Sequence, residues 1–65
     1  MTPLKRLLFE KQLTHRWLAQ QVGMTETAIS LVINGKRVPS LENALRIAKV
    51  LETSVEALWG FVIED

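Results

Sequence analysis

The sequence predicts an all-α fold, a compact bundle of five short helices, and three observations predict it. Apolar residues recur at spacings of three and four through five successive segments. A Thr or Ser stands before each segment: Thr2, Thr14, Thr25, Ser40 and Ser54. Their hydroxyl oxygens are suited to accept the unpaired N–H groups of a helix start. Finally, Gly23, Asn34-Gly35 and Gly60 stand where three of the segments stop, and Gly and Asn tolerate the left-handed backbone that ends a helix.

Taken in order, Thr2 can cap the first helix, and Pro3 at its first position gives up no needed N–H. Leu4, Leu7, Leu8 and Lys11 follow at helical spacing, so this helix should run to about Gln12. Thr14 caps a second helix over about His15 to Val22, with Leu18, Ala19 and Val22 inward and Gly23 closing it. Trp17 falls on its outer side, folded back over the first helix or, alternatively, touching a partner. Thr25 caps the third, about Glu26 to Ile33, with Ala28, Ile29 and Val32 inward. Lys36-Arg37-Val38-Pro39 then makes a basic loop. Ser40 caps a fourth helix, with Asn43 three residues on as a weaker capping partner than Glu or Gln. Its inner stripe is expected to be Leu41, Ala44, Leu45, Ala48 and Leu51. Thr53-Ser54 restarts a short fifth helix through Val55, Leu58 and Trp59. The last five residues, from Phe61, are too few for a helix and rich in β-formers, which predicts an extended tail.

A chain of 65 residues has room for one domain, 1–65, near the lower size limit for a core that folds unaided. With 48% apolar residues it can supply that core. There is no Cys, hence neither a disulfide nor a thiolate metal site. No basic, Ser-rich leader precedes the first helix. The longest apolar-plus-glycine run, Ala57 to Ile63, is far below the roughly 20 residues of a membrane helix. The chain therefore reads as soluble and cytoplasmic, with no membrane partner. Net charge is only +1, but it is unevenly spread. Residues 1–49 hold all eight basic residues and three carboxylates, net +5; residues 50–65 hold four carboxylates and no base. Such a split suggests a positive functional face with an acidic end turned away from it.

Ala19, Gly23 and Ile29 fall where a helix-turn-helix requires them. A small residue lets the second helix cross closely, a glycine takes positive φ in the turn, and a branched apolar residue locks the crossing. With Leu18, Val22, Asn34-Gly35-Lys36, Pro39 and Leu45, these residues make the chain resemble the phage repressor and Cro family over residues 3–59. The resemblance implies a lambda-repressor-like bundle of five helices that binds operator DNA as a two-fold dimer through helices two and three. Many relatives join the first helix to the end of the third with a buried Arg–Glu pair. Here those positions hold Leu8 and Ile33, and packed apolar groups often replace such a pair without loss.

The outward face of the third helix offers Glu26, Thr27, Ser30 and Leu31 as base contacts. Thr27 can give a hydroxyl to a base edge, Leu31 can pack on thymine methyls, and Glu26 can accept from cytosine N4. Glu26 also suits the helix dipole, and near phosphates it would be repelled unless paired. No bidentate Arg or Gln reader is present, which implies modest specificity with a contribution from DNA shape. Backbone contacts are assigned to His15, Arg16, Thr25, Asn34, Lys36 and Arg37, near helix N-termini or in the basic loop. Leu58, Trp59, Phe61, Val62 and Ile63 are a second apolar concentration, read as a dimer interface in which the tail pairs as a strand with a second subunit.

With one His, no Cys, no glycine-rich phosphate loop and no paired carboxylates, an enzyme is excluded and no cofactor or metal is implied. The expected function is a dimeric, sequence-specific regulator, a repressor, that binds double-stranded operator DNA. An antirepressor or toxin protein is a further candidate partner. The alternative is a protein-interaction module on the same fold, such as an antitoxin or partner-recruiting regulator.

Overall fold

Every helix of the computed structural model, which describes residues 1–63, begins at a hydroxyl. The elements are α1 (Pro3–Lys11), α2 (His15–Val22), α3 (Glu26–Ile33), α4 (Leu41–Val50) and α5 (Val55–Trp59), followed by a 3-10 turn at Gly60–Ile63. Thr2, Thr14, Thr25, Ser40 and Ser54 each accept the N–H of the residue three positions on, at 3.0–3.2 Å. Such caps contribute about 1 kcal/mol each, a large share of what an isolated helix of five to ten residues needs. At the other ends, Gln12 takes the left-handed conformation at φ 58° one residue after α1, and Gly23 does so at φ 73° after α2. A Cβ built on Gly23 would meet nothing within 4 Å. Its glycine answers a backbone requirement, not a crowded crossing.

The core is wholly apolar, and among the described residues no polar or charged side chain is buried. α2 sits at its centre, packed on α3 on one side and α4 on the other, while α5 closes the bundle against α1 and α4. Leu18 and Ile29 are fully enclosed where α2 meets α3. Leu8 and Ile33, where α1 meets the end of α3, are 3% and 0% exposed. The polar link between α1 and the end of α3 lies at the helix terminus. Thr2 Oγ1 donates to the Ile33 carbonyl at 2.6 Å while accepting from Lys5 N–H. Gly35, at φ 75°, lets the chain pass beside it, since a Cβ there would come within 2.9 Å of Thr2 Cγ2.

Two expectations need correction. α4 turns Ala44, Ile47, Ala48 and Leu51 inward, whereas Leu41 and Leu45 are 70% and 54% exposed. Both sets fit a helical stripe, because α4 is apolar over a wide arc; packing between α2 and α5 selects the one centred on Ile47. The tail is not extended. Gly60 keeps right-handed helical angles (φ −57°, ψ −30°), so the chain winds on through a 3-10 turn instead of opening into a strand. Within the interface expected there, Leu58 and Trp59 are buried in the chain's own core, while Phe61 and Val62 remain exposed. The Ile63 side chain, Glu64 and Asp65 lie outside the described residues. Trp17 is half-buried and packs against the core.

Left-handed backbone gives a stability test with opposite signs at two sites. Gly23→Ala should destabilise by about 1 kcal/mol, and Gln12→Gly should stabilise by a few tenths to about 1 kcal/mol. Each kcal/mol corresponds to a shift of about 4–8 °C in Tm for a domain of this size, readable by thermal circular dichroism.

Candidate nucleic-acid interface

α3 packs chiefly on α2, which leaves its outer face open to solvent. Glu26, Thr27, Ser30 and Leu31 occur at helical spacings one turn apart and line a single shallow, open depression on that face. The four residues chosen from periodicity are thus brought together. Glu26 and Thr27 are exposed, whereas Ser30 and Leu31 are half-buried. The depression therefore offers a carboxylate, two hydroxyls and one apolar side chain.

Two of these groups are held by the start of α2. His15 Nδ1 lies 2.9 Å from Ser30 Oγ, a hydrogen bond in which the tautomer decides the donor. Arg16 Nε lies 3.5 Å from Glu26 Oε2, with both side chains largely exposed. An exposed pair of this kind adds little stability. What it does is neutralise Glu26, the one acidic group on the face, and hold the guanidinium beside the first turn of α3. Sequence reasoning brings all four residues to the same surface but does not pair them.

At the far end of α3, Asn34 is committed on both sides of its amide. Nδ2 donates to the Ser30 carbonyl at 3.0 Å, and Oδ1 accepts from Lys5 Nζ at 2.9 Å. No local pattern in the sequence marks Lys5, because its partner is 29 positions away. It adds a cation to the edge formed by Lys36 and Arg37. The N–H groups of those two residues both donate to the Leu31 carbonyl, at 2.9 and 3.2 Å, which folds the basic loop back over the end of α3. Among the described residues their side chains make no hydrogen bond or ion pair, and both are exposed. Thr25 is exposed, and its hydroxyl oxygen accepts the N–H of Ala28.

An exposed helix carrying short polar side chains, crossed by a second helix and bordered by cations at both ends, defines a helix-turn-helix unit of the DNA-binding class. A family model described as helix-turn-helix matches residues 4–58. The chain belongs to this family, of the phage-repressor and Cro type, whose members are DNA-binding transcriptional regulators. No curated protein and no solved structure matches it. No helix among the described residues is long and apolar enough to cross a membrane.

Proposed function

We propose that this chain is one cytoplasmic domain that represses transcription by binding operator DNA as a two-fold dimer, with α3 in the major groove, and that it has no enzymatic activity. One observation carries the proposal: the outer face of α3 presents Glu26, Thr27, Ser30 and Leu31 as one open surface, with cations at both of its ends. Thr27 and Leu31 are the base readers, through a hydroxyl and an apolar contact to thymine methyls. Glu26, neutralised by Arg16, can approach cytosine N4 without facing the phosphates as a bare charge. His15, Arg16 and Thr25 reach one strand's phosphates, and Lys36, Arg37 and Asn34, the last backed by Lys5, reach the other's. Occupancy of an operator suffices for repression, which needs no further surface.

The dimer face is best supported where apolar side chains stay uncovered. Val38, Leu41, Leu45, Phe61 and Val62 are 43–70% exposed. Val38, Leu41 and Val62 line one apolar groove between the basic loop, α4 and α5, floored by Trp59. A standard interface buries about 800 Å² per partner, roughly a sixth of the 4589 Å² this chain exposes. A second copy on this face would cover that patch and bring two recognition helices to adjacent half-sites about 34 Å apart. An antirepressor or toxin protein is the other kind of partner the same face would take.

Selection from random duplex DNA should return a short, partly palindromic site. On that site Thr27→Ala and Leu31→Ala should each cost about 1–3 kcal/mol and relax preference at one or two positions, leaving nonspecific binding nearly intact. Equal loss on all sequences would mean that α3 is not reading bases. Replacing Lys36 and Arg37 together with Ala should weaken binding to every duplex alike and lower the salt slope by roughly one to two units, at about 0.9 per phosphate contact. An unchanged slope would remove the loop from the interface. For assembly, Leu41→Glu with Leu45→Glu should sediment as a folded monomer that binds a half-site normally and a full site at least about tenfold more weakly. A double variant that remains dimeric would exclude the α4 face.

A further inference from the structure

The outer face of α3 carries no bidentate base reader of its own, but the structure sets one beside it from α2. Arg16 Nε lies 3.5 Å from Glu26 Oε2, so the pair spans the two helices at the first turn of α3. Glu26 also lines the open depression that it shares with Thr27, Ser30 and Leu31. We propose that Arg16 and Glu26 act together as one composite reader of a single G·C base pair in the major groove. The guanidinium takes guanine, and the carboxylate takes the cytosine paired with it. This inference rests on the DNA-binding function proposed above, and it turns Arg16 from a phosphate towards a base.

Charge separates Arg16 from the other cations of the site. Among the described residues the side chains of Lys36 and Arg37 have no partner, so their whole charge is available to a phosphate. Arg16 already faces a carboxylate. A guanidinium so neutralised gains little from a phosphate, and the carboxylate beside it repels one. The two side chains are 76% and 56% exposed, so the pair adds little to the fold and lies open to a ligand.

The order of its groups matches one base pair. Read across the major groove, G·C presents two acceptors, guanine N7 and O6, and then a donor, cytosine N4–H. With Nε on the carboxylate side, the Nη1 and Nη2 hydrogens of Arg16 have no partner among the described residues. They form the planar fork that spans N7 and O6. Glu26, which has acceptors only, is the partner for N4–H. Two donors followed by an acceptor fit G·C in one orientation. The reversed C·G pair begins with its donor, and A·T places a donor between two acceptors. Arg16 thus selects guanine, and Glu26 fixes which strand carries it. Since the pair has no net charge, its loss should leave the salt dependence of binding alone.

The test compares the wild type with the charge-balanced double variant Arg16→Ala/Glu26→Ala and with Glu26→Ala, each as the full chain. Both side chains are largely exposed, so the variants should fold, which circular dichroism checks. A site is selected from random duplex DNA by the wild type. Binding is then measured to that site, to versions with each base pair changed, and to a random-sequence duplex. The wild type should require G·C at one position of each half-site, where reversing or replacing the pair should cost about five- to 150-fold. The double variant should lose this preference, keep the others, and bind the random duplex with unchanged affinity and salt slope. Substituting 7-deazaguanine, which lacks only the N7 acceptor, should cost the wild type about threefold or more and the double variant nothing. Glu26→Ala should bind the random duplex more tightly, having gained one net positive charge, yet discriminate less between G·C and C·G. Unchanged discrimination in Glu26→Ala would overturn the part given to the carboxylate. A double variant that binds every duplex more weakly alike, with a salt slope lower by about 0.9, would return Arg16 to a phosphate and overturn the proposal. A G·C preference that survives the double variant would overturn it as well. Absence of wild-type binding to any duplex would instead overturn the DNA-binding function itself.

Discussion

The crossing of α3 over α2 is the constraint on which the rest of this domain depends. The buried side chains of the two helices are all apolar: Leu18, Ala19 and Val22 on α2, and Ile29, Val32 and Ile33 on α3. Burial of this kind has no directional preference, so the angle is fixed by shape: a small Ala19, a left-handed Gly23, and branched residues that fill the remaining space. Once the angle is set, α2 has one face left for α4, and α3 has one face left for solvent. The hydrogen bond from His15 and the ion pair from Arg16 are consequences of that angle, since both reach from the start of α2 to residues of α3.

The junction of α1 with α3 divides its chemistry between a dry interior and a polar margin. Leu8 and Ile33 fill its interior with hydrocarbon, and so avoid the desolvation that a buried ion pair incurs. Orientation is recovered at the margin, where hydrogen bonds are made without burying a charge. Thr2 grips the last carbonyl of α3, and Lys5 holds Asn34 one residue further on. The same contacts carry a cation to the end of α3, so a structural tie also shapes the electrostatic surface.

How much of this was legible in the sequence depended on the range of the interactions involved. Helix starts were legible because a hydroxyl and the N–H three residues on are local partners. The α2–α3 pair and the outward face of α3 were legible because periodicity and a glycine turn determine them together. The phase of α4 was not, since Leu41, Ala44, Leu45, Ile47 and Ala48 spread apolar surface over so wide an arc that only its neighbours could choose. The tail misled because Gly60 is permissive without being obliged to break the helix, and β-branched residues after it can follow a helical path. At the candidate site the surface was legible but its pairings were not. His15 with Ser30, and Lys5 with Asn34, are set by three-dimensional packing that no spacing encodes.

The five hydroxyl caps have a consequence for how the chain reaches its structure. Each helix start can form from four consecutive residues, so the costly first turn of every helix is assisted before any distant contact exists. Helical bundles dominated by near-neighbour contacts fold in microseconds to milliseconds, and a chain without cysteine has no disulfide to form first. For a regulator whose level is governed by synthesis and decay, the delay between translation and a competent surface would then be negligible beside the time taken to make the chain.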